Sequence, residues 1–137
     1  MFKRGILRAI DANFNRSKEG LRVIEDIFRF VWPHDIYRKK IRVFRHSLDS
    51  IAAEKIMKVA IRQRNASGDL GRKTDVLELQ RKNGTDILYV NIQRVKESLR
   101  VLEECFKLVL PKRVSLVKKL RYEMYTLEKK IIIKTFC

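Results

Sequence analysis

Cysteine, proline and glycine are all scarce here, with two, two and five copies among 137 residues. Two cysteines, Cys105 and Cys137, make neither a disulfide framework nor a zinc ligand set. Cys105 falls within a helical apolar pattern and reads as a core residue. So little glycine and proline, beside 45% apolar content, excludes a low-complexity or disordered chain. No apolar run approaches the length of a membrane span, and none resembles a secretory leader. The cytoplasm is the expected compartment.

Standard catalytic motifs are missing too. There is no GxxxxGK[ST] phosphate loop, no GxGxxG, no HExxH and no GxSxG. The two histidines, His34 and His46, stand apart. This argues against a hydrolase with a standard nucleophile and leaves no classical nucleotide loop.

Negative charge is in short supply. Sixteen acidic residues face 32 basic ones, for a formal charge of +16. Lys/Glu enrichment in hot-adapted proteins is usually balanced, and this surplus is not. Such a surplus concentrates anions around the protein. Nucleic acid, an acidic membrane surface or a phosphorylated small molecule would each qualify by charge alone.

What the sequence has in abundance is itself. NRSKEGLRVIED at 15–26 returns as QRVKESLRVLEE at 93–104. At an offset of 78, ten of the nineteen positions from 13 to 31 are identical. The identities include Asn13/Asn91, Arg16/Arg94, Lys18/Lys96, Glu19/Glu97, Arg22/Arg100 and Glu25/Glu103. Pro33 and Pro111 share the same offset and follow the repeated stretch, where proline suits the first turn of a new helix. Ile41, Phe44, Arg45, His46 and Leu48 then align with Val117, Leu120, Arg121, Tyr122 and Met124 after a two-residue deletion.

The unit is therefore a helical hairpin used twice. Leu21, Ile24, Phe28 and Val31 recur at helical spacing, and Leu99, Leu102, Phe106 and Val109 repeat them. The expectation is an all-α single domain of 137 residues, with four long helices near 3–31, 34–58, 86–109 and 112–133 packed as a bundle. The repeats cover about 3–58 and 86–133, joined by an Arg/Gly-rich loop and short helix at about 62–85. Thr74 is a candidate cap for that short helix, spanning 75–82, with Asn83-Gly84 ending it and Thr85 capping the next. Loops of this length in compact domains are often functional. Ile131, Ile132, Ile133 and Phe136 in the tail point to a buried contact, with a homo-oligomer among the arrangements that would supply one.

The repeated polar set reads in two ways. As plain surface, Arg16, Glu19 and Arg22 form a ladder of ion pairs worth about 0.2–0.5 kcal/mol each. Lys18, Lys96, Arg29 and Lys107 suit that reading. As function, Arg16, Glu19, Arg22, Arg94, Glu97 and Arg100 form a polar seam where the hairpins face each other. Arginines there would clamp phosphate bidentately, oriented by the glutamates. Asn13, Asn91, Arg45, His46, Arg121 and Tyr122 are candidate ligand contacts beside that seam. In the loop, Arg64, Gly68 and Gly71 would bring charge and open backbone N–H groups to a phosphate. Asp69, with Glu25 and Glu103, is a candidate Mg²⁺ ligand. As a plain turn, Gly-Asp-Leu-Gly is equally ordinary.

IDANFNRSKEGLRVIEDIFRF, KIRVFRHSL, RNASGDLG, NIQRVKESLRVLEECFKL and LRYEMYTLEK occur in that order. Together they resemble the small hydroxymethylpyrimidine-phosphate kinase family of thiamin biosynthesis, over about Leu7 to Lys129. That domain stands alone or is fused in front of thiamine-phosphate synthase, and this chain is expected to be a stand-alone form. The resemblance implies ATP-dependent phosphorylation of hydroxymethylpyrimidine phosphate to the diphosphate, with a functional link to thiamine-phosphate synthase. In place of a DVG-like loop the chain has Asp69-Leu70-Gly71. The alternative is a non-catalytic basic helical module that binds phosphorylated ligands or nucleic acid. Nucleic acid is disfavoured because the basic residues are interleaved with glutamate and no basic-aromatic platform occurs.

Overall fold

Leu7, Ile10, Leu21, Ile24 and Phe28 lie along one side of a continuous helical pattern, and all five are buried. The computed structural model, which describes residues 2–136, builds the first four into α1 (Phe2–Asp26) and Phe28 into the turn that follows it. The helix then widens into a π turn over Ile27–Val31 and stops before Pro33, which cannot continue the ladder. Trp32 and His34 N–H close this end on the carbonyls of Ile27 and Phe28, both at 2.8 Å. The second copy, α5 (Gly84–Val109), ends without a π turn, and Pro111 opens a single 3₁₀ turn into α6 (Val114–Phe136). The architecture is all-α, with no strand among the described residues.

The first hairpin departs from the expected long second helix. It is broken into α2 (Asp35–Ser47), α3 (Asp49–Ala52) and α4 (Lys55–Arg62). Glu54 adopts an extended backbone between the last two. Its carboxylate accepts from Arg113 Nε at 2.8 Å and pairs with Lys112 at 3.3 Å, both in the turn of the other hairpin. That long-range tie holds the break, and α4 folds back to bury Met57 and Ala60 against the core.

The expected short helix at 75–82 is only a 3₁₀ turn over Leu77–Leu79, opened by Asp75 Oδ1 accepting from Glu78 N–H. Thr74 is not its cap. Asn83 caps α5 by accepting from Asp86 N–H at 2.9 Å, the role expected of Thr85. In the tail, Ile131 is buried in the chain's own core and Ile133 is exposed. Phe136's side chain and Cys137 lie outside the described residues. Cys105 is buried, and burial pushes its thiol pKa up.

The two repeated helices form the centre of the molecule, antiparallel to each other. Ser17 and Ser98 hydroxyls meet at 2.7 Å in the core. One turn on, Gly20 lies so close to α5 that a Cβ would stand 2.9 Å from Val95 Cγ2 and 3.4 Å from the Asn91 carbonyl. The 78-residue offset turns the first of these pairs into the second, so the crossing obeys a pseudo-two-fold axis. Small residues at 17, 20 and 98 let the backbones approach. Gly20→Leu is expected to destabilise the fold by roughly 1–3 kcal/mol through overpacking. A urea unfolding midpoint unchanged from wild type would show that the crossing tolerates spreading.

Candidate functional site

Along one side of the α1/α5 crossing runs a cleft of about 670 Å³. From α1 it is lined by Asn13, Arg16, Glu19, Gly20 and Val23; from α5 by Asn91, Arg94, Glu97, Ser98 and Val101. These are five pairs at the 78-residue offset. Gly71 and Glu78 of the connecting loop complete the wall and break the symmetry.

Antiparallel pairing at 17:98 and 20:95 fixes the order along the cleft. It runs Asn13, Val101, Arg16, Ser98, Glu97, then Glu19, Gly20, Arg94, Val23, Asn91. The lining is a palindrome: two glutamates in the middle, an arginine on each side and an asparagine at each end. At about 1.5 Å rise per residue, its length is roughly 16 Å.

Each asparagine is anchored to the turn before it. Asn13 Nδ2 donates to Ala9 O and Asn91 Nδ2 to Ile87 O, both at 2.8 Å. This aims the Asn13 oxygen at Arg16 Nη1, 3.3 Å away. The fixed three-residue spacing of Asn and Arg thus pre-orients a guanidinium at the rim. Arg16, Glu19, Arg94 and Glu97 are exposed. Among the described residues, Arg94 and the two glutamates form no ion pair.

Arg22 and Arg100 do not line the cleft. Three-residue steps along an α-helix each fall short of a full turn, so two steps carry Arg22 ~120° away from Arg16. Arg22 reaches Glu25 at 3.4 Å and Asp26 at 3.5 Å, and Arg100 reaches Glu103 at 3.5 Å and Glu104 at 3.7 Å.

Glu25 and Glu103 likewise turn away from the cleft, each 3% exposed. Glu25 pairs with Arg45 at 3.3 Å, and Glu103 with Arg121 at 2.7 Å. These are the same staple in both hairpins, tying the repeated helix to the second one. Arg121 also donates to Tyr125 Oη at 2.8 Å. The Glu103 carboxylate first, and Tyr125 next, hold its guanidinium still more firmly protonated. Four of the expected ligand contacts thus belong to this framework or lie outside the cleft. Arg45 and Arg121 are staples. His46 faces solvent beside Asp49 at 3.1 Å. Tyr122 lies under the Arg121 guanidinium, 5.1 Å from it, and is otherwise exposed. Lys18 and Lys96, expected to be solvated, are only 24% and 19% exposed and bind Asp49 and Glu128 on the second helices.

In the loop, Gly71 reaches the cleft. Asp69 Oδ1 accepts from Gly71 N–H at 2.8 Å, and Gly68 N–H donates to Asn65 Oδ1 at 2.9 Å, so both are turn-forming. Arg64 forks onto the buried Asp11 carboxylate at 2.6 and 2.7 Å, clamping the loop to α1. Asp69 and Arg64 line a second chamber, of about 420 Å³, that shares Asn13 and Arg16 with the cleft. Asp69, Glu25 and Glu103 therefore do not converge. No cluster of three or more His, Cys, Asp or Glu suited to a metal occurs among the described residues.

Sequence reasoning missed Gly20, Val23, Glu78, Ser98 and Val101 as cleft residues. The repeat carried a signal for four of them: Val23/Val101 are identical, and Gly20/Ser98 are both small at the same offset. A third cavity, of about 480 Å³ between α2 and α6, has an apolar floor of Phe44 and Leu127, with lysines but no arginine in its wall. No helix among the described residues is long and apolar enough to cross a membrane.

Known proteins are similar to this chain in sequence. It is 37% identical over 124 residues to a thiamine-phosphate synthase of Prochlorococcus marinus (strain AS9601), covering 90% of this chain and 34% of the relative. To thiamine-phosphate synthases of Nostoc punctiforme and of a Synechocystis species, identity is 34% over 128 residues and 35% over 124, covering 93% and 90% of this chain. The chain spans 35% of the length of each of those two, so about a third of the relatives it matches. No solved structure matches significantly. The ThiD2 family model matches residues 8–130, which include the whole cleft, and the chain belongs to the ThiD2 family.

Proposed function

We propose that this chain is a small-molecule kinase of thiamin biosynthesis. It transfers the γ-phosphoryl group of ATP to the phosphate of hydroxymethylpyrimidine phosphate, giving the diphosphate and ADP. Its proposed functional partner is thiamine-phosphate synthase, the name its relatives carry. The observation that carries this reading is the palindromic cleft, with one Arg–Asn unit at each end and two carboxylates between. Two phosphate-bearing ligands entering from opposite ends would bring their phosphates together at the middle.

The acceptor is a phosphate oxygen, already ionised at neutral pH, so no strong general base is required. That oxygen forms a bond to the γ-phosphorus while the bond from the γ-phosphorus to the β,γ-bridging oxygen breaks, and ADP leaves with the electron pair. Charge neutralisation and alignment dominate such a transfer. Arg16 and Arg94 supply two guanidinium forks, and Asn13 keeps Arg16 in place. Glu19 and Glu97, carboxylates at the middle of the cleft with no ion pair of their own among the described residues, are the residues that would hold a Mg²⁺ ion, a cation commonly bound by one or two carboxylates beside substrate phosphates. When bound, the ion offsets phosphate charge.

The purified chain is expected to release ADP from Mg-ATP with the pyrimidine monophosphate and not with the free pyrimidine alcohol. The alcohol would leave one arginine of the cleft unpaired. Equal turnover of both acceptors would contradict phosphate-directed recognition, and no turnover with tight ligand binding would make the chain a binding module.

A further inference from the structure

The two ends of the cleft are alike in their lining but unlike in what lies beyond. At the Asn13 end, Asn13 and Arg16 are shared with the second chamber, whose wall includes Arg8, Asp11, Arg64 and Asp69, so three arginines face two carboxylates there. The Asp11–Arg64 fork fixes that wall. Arg8 is exposed and forms no ion pair among the described residues. The 78-residue offset puts Asp86 in α5 where α1 has Arg8, and Tyr89 where it has Asp11. The cleft lining kept its symmetry while its surroundings diverged: Arg8 and a chamber lie beyond one end, and Asp86 stands in the place of Arg8 beyond the other.

We infer that the nucleoside triphosphate enters at the Asn13 end, with its polyphosphate along Arg16 and its remainder in the chamber beside Arg8. The smaller pyrimidine phosphate takes the Asn91 end, with its phosphate at Arg94. The inference rests on the kinase reading and adds a direction to it. A triphosphate carries more negative charge than a monophosphate, so the end with the additional arginine suits it and the end with Asp86 does not. It is also the longer ligand, and the chamber extends the cleft at that end alone among the described cavities.

The test is equilibrium binding of a non-hydrolysable Mg-ATP analogue and, separately, of the pyrimidine monophosphate. Wild type, Arg8→Glu, Arg8→Ala and Arg94→Ala are compared, each checked for native helicity. Arg8→Glu is expected to weaken the nucleotide analogue roughly tenfold or more and to leave the monophosphate unchanged, with Arg8→Ala between. Arg94→Ala is expected to weaken the monophosphate by about tenfold or more and the nucleotide analogue by less. The opposite pattern would reverse the direction while leaving the kinase reading intact. Both ligands unaffected by every variant would remove the chamber and Arg94 from binding. A wild-type chain that binds neither ligand would overturn the kinase reading itself, and this assignment with it.

Discussion

Arg16→Ala and Arg94→Ala are each expected to lower kcat/KM by about 10²–10³-fold, on the scale of removing one preorganised donor from developing charge. Both side chains are exposed at a cleft rim, so neither change should alter the unfolding midpoint. Arg16 is the stronger case, because Asn13 already orients its guanidinium. Arg22→Ala is the control. Arg22 belongs to the same repeated stretch and carries the same charge, yet it lies on a different face and contacts Glu25 and Asp26. Its loss should change kcat/KM by less than about threefold, the size of an exposed ion-pair effect. Equal losses at Arg16 and Arg22 would mean that the surplus charge acts as a diffuse field and the cleft has no special role.

The second large effect concerns stability. Arg121→Ala is expected to destabilise the fold by about 3–5 kcal/mol, because it leaves the Glu103 carboxylate buried without its main partner. Glu103 is 3% exposed and Arg121 7%. Arg45→Ala should cost less: its pair with Glu25 is longer, at 3.3 Å against 2.7 Å, and lacks the added Tyr125 contact. Replacing both partners, as Glu103→Leu with Arg121→Leu, should recover most of the loss, since no buried charge remains. Urea unfolding with an unchanged m-value reads all three directly. A double replacement as unstable as Arg121→Ala would show that the pair does more than neutralise itself.

The repeat makes most of the central architecture legible in the sequence itself. Asn13, Arg16 and Glu19 recur unchanged in α5, and those pairs line the cleft. The same signal misled at Glu25 and Glu103. Identity between copies marks whatever both copies need, and both need a buried carboxylate to hold the second helix as much as they need a cleft. Arg22 and Arg100 were misplaced for a geometric reason, the drift of three-residue steps around a 3.6-residue turn. The break after Ala52 had no local sign, with neither glycine nor proline at 48–54. It is held by Glu54 meeting Arg113 across 59 residues of chain, a contact that no window of local pattern contains. Lys18 and Lys96 looked solvated because their partners, Asp49 and Glu128, belong to other helices.

The most direct test of the central claim is a crystal structure of the chain with a non-hydrolysable Mg-ATP analogue and the pyrimidine monophosphate. Both phosphate groups are predicted to lie in the α1/α5 cleft, between Arg16 and Arg94 and over Glu19 and Glu97. Phosphates bound outside that cleft, on the basic surface or between α2 and α6, would contradict it.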